Sequence, residues 1–213
     1  MDRHRPNASA DPVVVTCRAG LATLLLLSVP LAGTAQEQDR LAERIISGAL
    51  AQVGVTLQYD GSYRQLAYPG GDVPIERGVC TDVIVRAYRA ANIDLQVLVH
   101  EDMRRAFHAY PRLWGLSRPD PNIDHRRVPN LATFFRRYGS SFRPVADHTR
   151  FAPGDIVTWR LPSGVPHIGL VSDRPQPESG RLLVVHNIGE GTMIEDRLLA
   201  WPITGHYRYT PAP

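Results

Sequence analysis

Apolar residues recur along this chain with two different periods, and the change from one to the other falls near Phe151. Over residues 37–53, Leu41, Ile45, Ala49 and Val53 repeat at four-residue spacing. Ala42, Ile46 and Leu50 widen the stripe and Gly54 closes it, which predicts an amphipathic helix. Residues 56–59 read as short and extended. Residues 60–77, with Gly61, Pro69, Gly70, Gly71 and Pro74, read as a turn-rich loop. A second helix is predicted over residues 80–91, where Val83, Ala87 and Ala91 form one line and Ile84 and Tyr88 the next. So wide an apolar surface belongs to a buried helix. Residues 100–110 predict a third helix, stopped by Pro111. After a Pro/Asp/Asn-rich loop at 118–127, residues 129–138 predict a fourth, carrying Leu131, Phe134, Phe135 and Tyr138, with Gly139 at its end.

Beyond Phe151 the pattern is that of strands, at residues 156–159, 167–173 and 182–188, with weaker ones at 193–199 and 203–209. Short, turn-rich connectors between successive strands predict an antiparallel meander. Helices first and sheet second place the chain in the α+β class, with N-terminal helices packed on a C-terminal antiparallel sheet.

The N-terminal segment reads as an address rather than as structure. Arg3, Arg5 and Arg18 precede an apolar run at residues 21–32, too short to span a bilayer and right for a secretory signal, and Gly33-Thr34-Ala35 follows with small residues where a signal peptidase cuts. Cleavage after Ala35 leaves 178 residues (213 − 35), a single domain over 36–213 with no membrane segment, in the periplasm or outside the cell.

Composition narrows the chemistry. At 213 residues and 43% hydrophobic the chain can bury one sizeable core. The net charge is +3 and the isoelectric point near 9.1, but the arginines are scattered in runs of at most two, so no nucleic-acid partner is expected. All 24 basic residues are arginine, which excludes a catalytic lysine.

Signal removal takes Cys17 and leaves Cys80 as the lone cysteine. An unpaired thiol in an oxidising compartment is a liability unless buried or used. Cys80 opens the second predicted helix, where unpaired N–H groups and partial positive charge stabilise a thiolate and bind a developing oxyanion. Two readings follow: a nucleophile, or a small buried hydrophobe. Asp82 lies in the same first turn, suits the helix dipole, and joins the oxyanion and substrate candidates. It would oppose a thiolate if it pointed there.

A cysteine nucleophile needs a base and something to hold that base. His100 and His108 fall on a helix surface, and His148 and His206 near loops or the C-terminal end. His125, with Asp124 and Arg126, sits in a polar loop that reads either as a substrate contact or as plain surface. His167 opens one strand and His186 nears the end of the next, so antiparallel pairing makes them neighbours. His167 is then the base and His186 its orienting partner. Asn187 is the rival, because adjacent strand residues point to opposite faces. In such a setting the thiol pKa is expected to fall from ~8.5 into the range ~3.5–7.5. A zinc site built from Cys80, His167 and His186 competes, but no close-spaced ligand pair supports it, and neither metal nor cofactor is expected.

The segments Arg77-Gly78-Val79-Cys80-Thr81-Asp82, Asn122-Ile123-Asp124-His125-Arg126, Gly154-Asp155-Ile156-Val157-Thr158-Trp159, His167-Ile168-Gly169 and Val185-His186-Asn187-Ile188-Gly189 resemble the DUF1287 family of uncharacterised bacterial domains, over roughly residues 49–208. Cys80, His167, the third residue and the strand order resemble the NlpC-type cell-wall cysteine peptidases of the papain superfamily. That likeness implies a papain-like fold and hydrolysis of peptide bonds in peptidoglycan stems. It implies an acyl-enzyme on Cys80 with His167 as base, and Tyr59 lining the site or aiding the oxyanion. The chain departs from the usual Asp-Cys-Ser-Gly, with Val79 before the thiol and Asp82 after it. The interval from Cys80 to His167 (167 − 80 = 87) is longer than usual, which marks residues of about 95–150, centred on 103–143, as an insertion serving as lid or substrate-selecting wall. A catalytically idle fold that binds cell-wall peptide or a partner protein is the alternative.

Overall fold

The computed structural model describes Met1 and residues 32–211; apart from Met1 and residues 32–35, the signal peptide expected over residues 1–35 lies outside them. The first apolar stripe forms helix α1 (Ala32–Leu50), which buries Leu41, Ile45, Ile46 and Ala49. It crosses helix α2 (Cys80–Ala90) at very short range: a Cβ at Gly48 would stand 2.4 Å from the Ala90 Cβ and 3.0 Å from the Ala87 carbonyl oxygen. Only glycine fits there. Every residue of α2 from Cys80 to Tyr88 is buried, as its wide apolar surface requires.

The turn-rich segment before α2 is tied down by side chains, Arg86 above all. Arg86, only 7% exposed, donates to both carboxylate oxygens of Asp72 (2.8 and 3.0 Å) and to the carbonyls of Val73, Pro74 and Arg77. A buried guanidinium with its donors satisfied fixes a loop that has no regular structure of its own. Its ends form a two-residue parallel pair, strands β1 (Gln58–Tyr59) and β2 (Arg77–Gly78), with Tyr59 opposite Gly78.

Helix α3 (Leu95–Ala106) begins five residues before the expected start, because Asp94 caps it by accepting from the Gln96 N–H at 3.0 Å. Helix α4 (Val128–Tyr138) follows, then a short strand, β3 (Ser140–Phe142), that the sequence pattern did not announce. The expected insertion is therefore built into the domain: Leu131, Phe134 and Phe135 of α4 belong to the main core beside Val83, Ile84 and Tyr88.

Strands β4 (Ile156–Arg160), β5 (Pro166–Pro175), β6 (Leu182–Asn187) and β7 (Thr192–Glu195) form the expected antiparallel meander. The last strand, β8 (Ile203–Arg208), does not continue it. It returns to pair with β4 on one side and β3 on the other, giving a six-stranded antiparallel sheet of order β3-β8-β4-β5-β6-β7. Alternation divides the sheet cleanly. Ile156, Ile168, Leu170, Val185 and Tyr207 face the helices, while Val157, Trp159, Val171 and Val184 face away, against Phe151 and Leu198. Among the described residues no helix is long and apolar enough to cross a membrane.

Candidate active site

Cys80 stands at the first residue of α2 with its sulfur at the rim of the sheet. The sulfur lies against the backbone N–H groups of Ile168 and Thr81 and beside the Tyr59 hydroxyl. The Ile168 N–H is available because the β5–β6 ladder starts only at Leu170↔Val185, so nothing of β6 pairs with this end of β5. The sulfur thus touches the residue that follows His167, and the β1–β2 pair brings Tyr59 beside it.

The N-terminus of α2 is held by a buried ion pair. Asp82 accepts the Val79 N–H at 2.7 Å and takes Arg126 Nε and Nη2, each at 2.9 Å, and Arg126 also donates to the Asp60 and Ser62 carbonyls. Asp82, expected near oxyanion or substrate, therefore spends its oxygens fastening the α3–α4 loop to the thiol-bearing turn. Of the three polar-loop candidates only Arg126 borders the cleft. Asp124 and His125 are turned inward, 1% and 2% exposed, and burial raises the Asp124 carboxyl to about 6 and lowers the His125 imidazole to about 4.

His167 lies on the face of β5 opposite the helices. Its ring stacks on Trp159 at 5.7 Å between centroids and meets Trp201 edge-on at 5.9 Å. Its Nε2 is 2.9 Å from His186 Nδ1, and His186 Nε2 is 3.0 Å from a Glu195 carboxylate oxygen. Alternation places His186 and Asn187 on opposite faces. His186 shares the face of His167, while Asn187 points to the other, donates to the Gly78 carbonyl at 3.1 Å and so positions the segment leading into Cys80.

The expectation of a preformed thiolate does not match this arrangement. Burial is the largest influence on both groups and pushes the Cys80 thiol up to about 12 and the His167 imidazole down to about 3. Among the described residues no hydrogen bond joins the thiol to either imidazole. Both groups rest neutral, and the thiol meets the His167 strand through the Ile168 N–H. The zinc alternative fares poorly on geometry, since His186 commits both ring nitrogens, to His167 and Glu195.

A cleft of about 490 Å³ opens over the thiol, bordered by Tyr59, Tyr63, Cys80, Trp114, Arg126 and Val165. Trp114 carries the Arg127 guanidinium over its ring at 4.0 Å, so the region between α3 and α4 supplies one wall. Glu195, Trp201 and the Asp82–Arg126 pair were missed in the sequence. Glu195 had a signal: in the β6–β7 hairpin His186 opposes Met193, which puts residue 195 diagonally across from it on the same face.

Comparison with known proteins places the chain among relatives of unassigned role. A family profile described as "Domain of unknown function (DUF1287)" matches residues 46–209. Over 165 residues the chain is 54% identical to "Uncharacterized protein YijF" of Escherichia coli (strain K12), covering 78% of this chain and 80% of that one. Among solved structures it is similar to a protein from Staphylococcus aureus described as "similar to lipoprotein, NLP/P60 family", at 13% identity and a TM-score of 0.42. That match covers 82% of this chain, and this chain spans 43% of the other.

Proposed function

Because the chain belongs to the DUF1287 family, whose function is unknown, we propose its activity from the site itself: a secreted cysteine peptidase or amidase acting on peptidoglycan stem peptides. The observation that carries the reading is the Cys80 sulfur at a helix N-terminus. It rests on the backbone next to His167 and opens into a peptide-sized cleft. Export through the signal at residues 1–35 delivers the enzyme to the periplasm or cell exterior, where that polymer lies.

The chemistry follows from the neutral resting pair. A substrate amide enters the cleft and excludes water. The thiol lies on the helix side of β5 and the His167 ring on the other, so this reading requires the proton to pass round the free end of β5 to His167 Nδ1 as sulfur attacks the carbonyl carbon, with His167 as a general base rather than half of a standing ion pair. The oxyanion that forms meets the Cys80 N–H and the Tyr59 hydroxyl. Burial and the neighbouring thiol hold the Tyr59 pKa well above its usual value, so the hydroxyl remains a donor. His167 then protonates the leaving amine, and water releases the acyl group from Cys80 by the same route in reverse.

One observation favours the idle-fold alternative: burial holds the thiol near pKa 12. Purified muropeptides incubated with wild type, Cys80→Ala and His167→Ala, with products read by mass, separate the two. Wild type should cut a stem amide, and each variant should lose at least ~10³ of that rate. Binding of muropeptide by wild type and Cys80→Ser alike, with no product from either, would establish the binding module instead.

A further inference from the structure

The most informative group outside the expected site is Glu195, whose side chain is 26% exposed and which ends the chain of rings that starts at His167. A carboxylate only accepts hydrogen bonds, so the 3.0 Å contact requires a proton on His186 Nε2. Burial lowers the His186 pKa, which keeps that ring neutral with a single proton and leaves Nδ1 as a bare lone pair. The 2.9 Å contact from His186 Nδ1 must then be filled by a proton on His167 Nε2. His167, also neutral, is left with its lone pair on Nδ1, the ring nitrogen nearer the main chain on which the Cys80 sulfur rests.

We infer that Glu195 is a positioning residue that sets the tautomers of both imidazoles through His186 and so makes His167 Nδ1 the proton acceptor. Arg197 Nη2, 3.5 Å from the other Glu195 oxygen, holds the carboxylate in place. The same wire serves the transferred proton. When Nδ1 accepts it, the positive charge on His167 is shared along N–H···N and N–H···O toward Glu195, and no atom beyond the thiol proton changes partners. The catalytic half of the role rests on the peptidase reading; the tautomer assignment stands apart from it.

Long-range proton–nitrogen correlation NMR on ¹⁵N-histidine-labelled mature protein at neutral pH reads each ring directly. Wild type should show both His167 and His186 as Nε2–H. Glu195→Leu should release the lock, with His186 populating both tautomers, and should lower kcat on muropeptides by ~10–100-fold with KM within about twofold. Glu195→Gln keeps an acceptor without the charge, so it should retain the wild-type tautomers with an intermediate kcat, and it serves if the leucine variant fails to fold. His167 found as Nδ1–H in wild type, or ring patterns unmoved by Glu195→Leu, overturns the inference. Tautomers as stated in a protein that cleaves nothing would uphold it and count against the peptidase reading alone.

Discussion

Two histidine–carboxylate pairs sit on the sheet face turned from the helices, and they differ in where the second ring nitrogen leads. His206 Nε2 is 2.7 Å from Asp155, which also takes Arg208 at 2.7 and 3.0 Å and the Ala152 N–H at 2.9 Å. His206 stacks on Phe151 at 4.0 Å, and its Nδ1 has no hydrogen-bond partner among the described residues. That pair is closed: it joins β4, β8 and the turn at 152–155 and conducts nowhere. In the other pair His186 spends its Nδ1 on His167, whose backbone neighbour touches the Cys80 sulfur. The residue types are the same. Connectivity separates a structural clasp from the proton path proposed for His167.

The sharpest test of the closed pair is Asp155→Ala. Asp155 is fully buried, and its loss strands the Ala152 N–H and the His206 ring. Stability should fall by roughly 3–5 kcal/mol, lowering Tm by ~6–20 °C in a domain of this size. The rate of Cys80 alkylation per folded molecule should be unchanged. A variant that keeps its Tm but loses turnover would erase the distinction between the pairs.

The open pair should reveal itself in acid. His167 is held at about 3 in the folded protein and titrates near ~6.5 when unfolded, so the unfolded chain takes up the proton first. Its contribution to stability is complete above ~pH 6.5 and is lost as pH falls toward 3. At pH 4 the deficit is about 3 kcal/mol. Denaturant unfolding of wild type and His167→Asn at pH 7 and pH 4 measures it: wild type should lose about 3 kcal/mol more than the variant over that interval. Equal losses would mean that the ring is not buried in its neutral form.

How much of this was legible beforehand follows from the range of each interaction. The periods of the helical stripe and of β4 to β7 are local, so those elements could be read directly, and with them the neighbourhood of His167 and His186. The return of β8 to the side of β4 depends on pairing over some fifty residues and on a three-residue strand with no period, β3. Arg86 and the Asp82–Arg126 pair are long-range choices among charged residues that look alike in sequence. The thiolate expectation failed for a different reason. Spacing gave Cys80 its neighbours but not their burial, and burial decides which protonation states are at rest.

The smallest expected effect belongs to Tyr59→Phe, and it probes the chemistry with almost no structural cost. Tyr59 is 45% exposed, so losing its hydroxyl should move stability by less than ~0.5 kcal/mol. The hydroxyl lies beside the sulfur and keeps its proton, so it favours the thiolate over the thiol. A hydrogen bond to a charged group contributes ~1.5–3 kcal/mol, but water admitted from the cleft can replace part of it. About 1 kcal/mol then remains, a fivefold slower reaction with iodoacetamide at fixed pH. Asp155→Ala should leave that rate alone while lowering Tm; Tyr59→Phe should do the reverse. An alkylation rate that stays level or rises in the phenylalanine variant would remove Tyr59 from the thiol's electrostatics and leave the helix N-terminus and the Ile168 N–H as the donors to sulfur among the described residues.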